Sequence, residues 1–515
     1  MKTQVLIIGG GVTGSGLARD LAMRGISCIL VEKRNINSGA SGGNHGLLHS
    51  GARYVGSDQT TAIECRREGE LLKWLAPHCI EDTGGLFIAV EGDDENYIAD
   101  FPELCARCRI PTQPLSPIEA REMEPALSEK VIAAYLVQDA VIDPFMLSLD
   151  NISCAQKLGT TLLLYTQVKA FDIGNSRIQS IRLQNTQTFE EVVIEADIVV
   201  NASGAWAGLV AGLAGIQINM FYSKGTLLIA NNRITKRTIN RLRPASNADI
   251  VVPGGAVSIL GTTSIRTNDP DDTYPTIEEI DLIVDEAKAM IPTLEKTRYI
   301  RAYCGVRPLL GSEENDDDRS VSRGFALIDH GYQGIDNFIT ITGGKLTTYR
   351  LMAEKTADLV CQHLGVSTLC LTGTEPLPAS QNTGWTEPAL TPRIWLRRHA
   401  PEDVILCECE MVPKSTVDSI IDSIHQQGGK VDLNGIALRS RVGKGPCQGT
   451  FCGERIMRYL FDMGEIEADK CLNNLSGFAK RRWKGLYSIL WGQQMKQVEL
   501  LEAMECGMIG LELYE

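Results

Sequence analysis

Two groups of residues in this 515-residue chain have the types and spacing to do chemistry. Near the start, Gly9, Gly11 and Gly14 stand in a Gly-x-Gly-x-x-Gly run. Such a run lets the chain turn tightly, lets backbone lie against a pyrophosphate, and lets a helix pack close to its strand. Near the end, Cys407, Cys409, Cys447 and Cys452 form a CxC and a CxxxxC, enough thiolates to hold an iron-sulfur cluster or a zinc ion. A nucleotide cofactor moves electrons in pairs and an iron-sulfur cluster moves them singly. A chain with both is expected to oxidise a small molecule and export the electrons.

The first group needs a strand, a turn and a helix to position it. Val5 to Ile8 is a continuous apolar run, and beyond Gly14 the residues Leu17 and Leu21 continue at helical spacing. The helix start would offer unpaired N–H groups to phosphates, with Thr13 in the same turn. A second strand, Ser27 to Val31, delivers Glu32, whose carboxylate can accept from a ribose and would repel a 2′-phosphate. NADP is disfavoured, and FAD and NAD stay open.

Further along, residues 38–54 are too rich in Gly and Ser for a helix and too long for an idle connection, so bare backbone there can lie against a planar cofactor. Ser41, Asn44, Gly46 and Leu47 are the candidates in this loop. A second strand-turn-helix pattern at residues 339–350 adds Gly343, Gly344, Leu346 and Thr347, and Gly204 follows another apolar run. Residues 198–223 carry no charged side chain, but Asn, Ser, Gly and Gln interrupt them, so they read as strand, turn and buried helix rather than a membrane span.

Arg53, Arg307 and Lys345 each sit inside a glycine-flanked motif, and three cations suffice to bind a phosphate dianion. Arg323 is a weaker fourth. Oxidising a secondary alcohol also needs a proton acceptor. His45 and His49 are the histidines of the 38–54 loop; His49 is the candidate base, with a structural histidine as the plain alternative. Arg307 offers instead to stabilise a developing alkoxide.

These motifs resemble the FAD-dependent glycerol-3-phosphate dehydrogenases of the D-amino-acid-oxidase type. The resemblance rests on Gly9 to Gly14, the Gly-Leu-Leu-His-Ser-Gly-Ala-Arg-Tyr stretch ending at Tyr54, Gly261-Thr262-Thr263, Gly305-Val306-Arg307-Pro308-Leu309, and Gly343 to Arg350. It implies FAD as cofactor and a site where glycerol 3-phosphate meets the flavin, lined by Arg53, Tyr54, Arg307 and Lys345; the expected catalytic residues there are Arg307, His49 and Lys345. The cysteine region narrows the resemblance to the large catalytic subunits of the anaerobic, quinone-linked branch. That implies a flavin-containing partner, a membrane-anchoring iron-sulfur partner, and a peripheral place on the cytoplasmic side of the inner membrane. CxC followed by CxxxxC resembles the [2Fe-2S] domain of the bacterioferritin-associated ferredoxin type, with zinc the alternative.

Composition bounds the rest. A net charge of −14 and a pI near 5.2 provide no global positive field, which argues against nucleic acid. Fifteen scattered cysteines and no export segment fit a reducing compartment, and the Cys105/Cys108 pair reads as structural. Pro and Gly enrichment after Cys370 reads as a linker. The expected architecture is α/β: a Rossmann-like FAD-binding domain interleaved with a mixed-sheet substrate domain over 1–370, a linker over 371–395, a [2Fe-2S] domain over 400–460, and a helical segment over 461–515. The basic-aromatic run Lys480 to Lys484 could meet a membrane or partner, though a solvated helix face with tryptophan in the core is the simpler reading. The rival functions are a flavin enzyme acting on a 2-hydroxy or amino acid, and a pure electron-transfer protein.

Overall fold

A computed structural model describes residues 1–311, 324–379, 400–426, 429–508 and 510. The apolar run at the start forms the strand Lys2–Ile8, with Val5, Leu6 and Ile7 wholly buried as a central parallel strand requires. It pairs in parallel with Cys28–Val31 on one side and Glu191–Asn201 on the other. Thr161–Leu163 extends the sheet beyond Cys28–Val31, and Phe338–Gly343 extends it beyond Glu191–Asn201. The helices Val12–Met23, Pro144–Lys157 and Tyr349–Leu364 cover one face, joining Leu17, Leu149 and Val360 in one core. On the other face, Glu191–Asn201 turns away at its start to pair with the antiparallel hairpin Thr166–Gly174/Arg177–Asn185, which packs Val168, Ile178 and Ile181 over Leu6 and Ile8.

A second, mixed sheet of nine strands is built from Gly85–Val90, Gln113–Leu115, Val131–Val137 and six strands between Met220 and Leu310. The chain therefore visits the nucleotide sheet, the second sheet, the nucleotide sheet, the second sheet and the nucleotide sheet again. That is the interleaved α/β architecture expected from the motifs. Residues 198–223 contribute the end of a strand, a short 3₁₀ turn, the helix Ala207–Gly212 and the start of the strand Met220–Ala230. Among the described residues no helix is long and apolar enough to cross a membrane.

The cysteine region has its own core. The strands Ile405–Cys407 and Val412–Pro413 and the helices Lys414–Gln426, Leu433–Arg439 and Cys452–Asp462 bury Val417, Ile420, Ile436, Ile456 and Leu460 together. This core runs on past residue 460 to Ile466 and Phe478, whereas Leu486, Ile489 and Val498 of the tail join the core of the second sheet. The helix Ala468–Leu486 thus ties the cysteine region to the second sheet. Gly485 makes this contact feasible, since a Cβ there would lie 2.3 Å from the Ala302 carbonyl oxygen. The tryptophans of this tail are not core residues: Trp483 is half exposed, and Trp491 lies tilted against Tyr299 with one side open, because the helix ends at Leu486 and the chain turns before Gln493.

The stretch read as a linker begins docked. Leu377 is buried in a core with Tyr349, and its N–H donates to the Leu75 carbonyl, while Arg19 donates to the carbonyls of Glu375 and Pro376. Residues 380–395 of that expected linker lie outside the described residues.

Candidate active site and four-thiol site

The ends of the parallel strands open on a cavity of about 680 Å³. Gly9 turns the chain there with φ +115°, and a Cβ would lie 2.5 Å from the Ala202 oxygen. A Cβ on Gly14 would lie 1.9 Å from the Gly9 oxygen, so helix and turn touch backbone to backbone. Glu32 accepts from the Gly10 N–H at 2.8 Å and the Arg34 N–H at 2.9 Å, which pins the turn to the second strand. Burial pushes the Glu32 carboxyl up, and those N–H groups only partly offset it.

Ser41 accepts from the Val12 N–H at 3.0 Å, holding the 38–46 loop against the helix start. Asn44 is the loop's internal staple: its amide donates to Ala40 and Ser41 carbonyls and its oxygen accepts from the Gly46 N–H. The loop crosses the second sheet at Gly43, where a Cβ would meet Gly305 Cα at 2.7 Å. Thr13, Leu47, Gly204, Gly343, Gly344, Leu346 and Thr347 also line the cavity, whereas Gly14 and Gly46 shape it from behind. Gly343 and Gly344 need their positive φ of 81° and 69° to pass the wall before the helix Tyr349–Leu364 begins.

The same cavity collects His49, Arg53, Tyr54, Arg307 and Lys345. His49 is buried; its backbone N–H donates to Thr347 Oγ1, and Nε2 lies 3.3 Å from the Tyr54 hydroxyl. Burial holds its pKa well below the ordinary 6.5, with the charges of His45, Arg53 and Lys345 adding to the effect, so the ring is neutral at pH 7. Lys345 Nζ sits 4.2 Å from the Tyr54 ring centroid. Arg307, on the strand Tyr299–Leu310, donates to the Thr263 carbonyl at 3.2 Å and to the Thr262 hydroxyl.

Arg53 has a partner that its motif did not announce. It donates to Asp249 at 3.1 Å and to the Ser246 carbonyl, and Asp249 also takes Arg243 and the Ser246 N–H. Arg53 Nη1, buried, has no hydrogen-bond partner. Asp249, Thr262 and the Thr263 carbonyl were missed as site-shaping groups; the Gly261-Thr262-Thr263 motif was the available signal for two of them. Arg323 lies outside the described residues.

The four cysteines come together. Cys409 Sγ lies 3.8 Å from Cys407 Sγ and 3.6 Å from Cys447 Sγ, and Cys452 adjoins both Cys407 and Cys447. Backbone N–H groups face the sulfurs: Glu410 toward Cys407, Gly449 and Phe451 toward Cys447, and Gly443 toward Cys452. Four thiols with N–H groups turned to them suit a metal or cluster that keeps sulfur anionic. Cys105 and Cys108 are buried free thiols with no such companions in the described structure.

A parallel sheet with a glycine turn at its switch point and a large cavity between two sheets defines a dinucleotide-cofactor enzyme. A family model described as FAD dependent oxidoreductase matches residues 4–359. The A-type subunit of the anaerobic glycerol-3-phosphate dehydrogenase of Escherichia coli K12 is 40% identical, covering 99% of this chain and 97% of that protein. The A1-type subunit of the Haloferax volcanii enzyme is 37% identical over 96% of this chain and 89% of its own. The FAD-complexed glycerol-3-phosphate dehydrogenase of Bacillus halodurans shares the fold, with a TM-score of 0.66 at 21% identity over 94% of this chain and 95% of that one. The chain belongs to the FAD dependent oxidoreductase family, among the A-type subunits of anaerobic glycerol-3-phosphate dehydrogenases.

Proposed function

We propose that this chain oxidises sn-glycerol 3-phosphate to dihydroxyacetone phosphate with FAD as immediate acceptor, and exports the electrons through a [2Fe-2S] cluster on Cys407, Cys409, Cys447 and Cys452. The observation that carries the substrate is Arg53 Nη1, a buried cationic donor without a partner, in one cavity with Arg307 and Lys345. A phosphate would complete that donor and be shared among the three side chains. Asp249 keeps Arg53 aimed, and Thr262 and Thr263 do the same for Arg307. The neutral His49 ring beside Tyr54 would accept the hydroxyl proton, while Arg307 would steady the negative oxygen.

FAD would lie with its phosphates at the Gly9 to Gly14 turn and accept the hydride of the substrate carbon. The electron route has a structural support in the packing between the sites. A Cβ on Gly445 would lie 2.6 Å from Cys409 Sγ; the adjacent Lys444 has Nζ 4.5 Å from the Phe145 ring centroid; and that ring rests on Gly42, where a Cβ would come within 3.0 Å. Gly43, next along, is cavity wall. Arg441 braces the junction, donating to Glu410 at 2.9 Å and across to the Gly254 carbonyl at 2.8 Å. The functional division in this reading is 1–370 for the flavoprotein part, 400–460 for the cluster part and 461–515 for the helical tail, which lends Ile466 and Phe478 to the cluster part's core. Onward transfer would go to two partner proteins, one flavin-containing and one iron-sulfur and membrane-anchoring, and from them to a quinone, with this chain peripheral on the cytoplasmic side.

Anaerobic titration of the purified chain, followed by flavin absorbance and EPR, tests this. Glycerol 3-phosphate is expected to bleach the flavin and raise a cluster signal. Bleaching by a 2-hydroxy or amino acid instead would move the substrate; no bleaching by any small alcohol would leave a pure electron-transfer protein; a colourless zinc-loaded C-terminal site would end the cluster assignment.

A further inference from the structure

Residues 269–275 join the strand Ile265–Thr267 of the second sheet to the helix Ile277–Met290. Three aspartates, Asp269, Asp271 and Asp272, give the segment the composition of a solvated loop, yet Asp271 is engaged across the cavity. Its Oδ1 accepts from Arg34 Nη2 at 2.7 Å and its Oδ2 from Trp206 Nε1 at 3.1 Å. Arg34 lies just past Glu32 on one lip of the nucleotide cleft, and Trp206 just past Gly204 on the other. The Trp206 ring rests on Gly39, where a Cβ would lie 2.9 Å away, and takes the Lys33 ammonium at 3.9 Å from its centroid. Lys33, Gly39, Trp206 and Asp271 all face the cavity. One carboxylate from the substrate sheet thus spans both walls of the cleft.

The segment is shaped in advance. The Asp271 N–H donates to Asp269 Oδ1 at 2.8 Å and the Asp272 N–H to the Asp269 carbonyl, an Asx-type turn that presents Asp271 outward. Burial pushes the Asp271 carboxyl up, but the Trp206 and Arg34 hydrogen bonds and the Lys33 and Arg34 charges outweigh it and hold it below the usual range. The far end is anchored twice. Lys224 donates to the Tyr274 carbonyl at 3.0 Å, and Lys484 donates to the Thr273 hydroxyl while its ammonium lies 4.1 Å from the Tyr274 ring centroid. Lys484 comes from the helix Ala468–Leu486, set in place by the Gly485 contact with the Ala302 carbonyl.

We propose that residues 269–275 are a cofactor strap: Asp271 clasps Arg34 and Trp206 over the bound dinucleotide, and Lys484 makes retention of that cofactor depend on the docking of the C-terminal helices. The strap rests on the reading of the cavity as an FAD site. Asp271 is a positioning residue, acting on the cofactor through Arg34 and Trp206.

The measurement is FAD release from the full-length holoenzyme, followed by the rise in flavin fluorescence after dilution. Asp271→Ala is expected to release FAD about fivefold faster, since both hydrogen bonds are lost and both are solvent-exposed. Asp271→Asn keeps an acceptor for Trp206 and should fall between that variant and the parent. Trp206→Phe keeps a ring on Gly39 without its N–H and should accelerate release less than Asp271→Ala. Lys484→Gln, which removes the contacts with Thr273 and Tyr274 and also a positive charge that repels Arg34, is expected to speed release about twofold by loosening the strap. A parent chain that holds FAD and an Asp271→Ala variant that releases it at the parent's rate overturn the strap. Faster release in Asp271→Ala with none in Lys484→Gln overturns the link to the C-terminal helices. A parent chain that takes up no FAD overturns the cofactor reading itself, a result separate from either.

Discussion

The nucleotide cradle draws its turn, helix and carboxylate from residues 2–32, while the cation cluster across the cavity is collected from residues 49–54, 246–249, 262–263, 307 and 345. The first is backbone chemistry: glycine turns, helix N–H groups and one carboxylate that pins them. The second is side-chain chemistry: long cations aimed by partners from other segments. The backbone cradle should fail all at once when a Cβ intrudes, whereas the side-chain cluster should lose function in steps and leave the fold intact.

The largest effect separates them most sharply. In Gly14→Val the added side chain starts where a Cβ already lies 1.9 Å from the Gly9 oxygen. Overpacking at such a backbone contact is expected to cost about 3 kcal/mol or more. The chain should purify without flavin and melt at markedly lower temperature. A Gly14→Val protein that retains flavin at the parent's melting temperature would show the cradle to be as tolerant as the cluster.

Arg307→Ala is the counterpart on the other wall. Turnover is expected to drop about a hundredfold to a thousandfold, by loss of a preorganised charge at the reacting oxygen, with flavin absorbance kept. Steady-state rates read beside the flavin spectrum check both halves. Unchanged turnover removes Arg307 from the chemistry, and lost flavin would mean that the two walls are not separable.

Between these lies Asp249→Asn. Asp249 is buried and pairs with both Arg53 and Arg243; Asn in its place keeps an acceptor for them, so the loss of stability is expected to be about 1 kcal/mol. With Arg53 less firmly aimed, KM for glycerol 3-phosphate should rise about tenfold while kcat changes less. A fall in kcat with KM unchanged would place Arg53 in the chemistry rather than in phosphate binding.

The same contrast explains what the sequence disclosed. Gly9, Gly14 and Glu32 were legible because turn conformation and strand order are local, and the paired spacing of Cys407/Cys409 and Cys447/Cys452 marked the thiol site. Asp249 was not legible as Arg53's partner, since 196 residues separate them and nothing in either neighbourhood encodes the pairing. Asp271 carried no mark of its partners, because composition cannot tell a carboxylate that meets only water from an exposed one that also reaches Arg34 and Trp206 across a cleft. The docked start of the linker was hidden similarly: Leu377 among prolines and threonines gives no period, yet it is buried. Interleaving was legible only through the order of the motifs, since the strands that alternate between sheets carry no mark of the sheet they join.

The smallest effect tests how far the cluster's electrostatics reach His49. Its depressed pKa makes the neutral ring the resident form, and on the proposed role of that ring as proton acceptor the acid limb of the reaction is expected below the ordinary histidine value of 6.5. The rate of flavin bleaching should therefore stay level from about pH 8 down through that value and decline only in more acid solution, about tenfold per unit once the limb is passed. A limb centred at the ordinary value would mean that the ring is solvated or is not the base. Burial is the main cause of the depression and Lys345 a minor one, so Lys345→Met should move the limb only slightly, and upward, because a nearby positive charge that opposed protonation is gone. A downward shift would show that Lys345 does not face the His49 ring as a charge, and the cations of this wall would then act on the substrate alone.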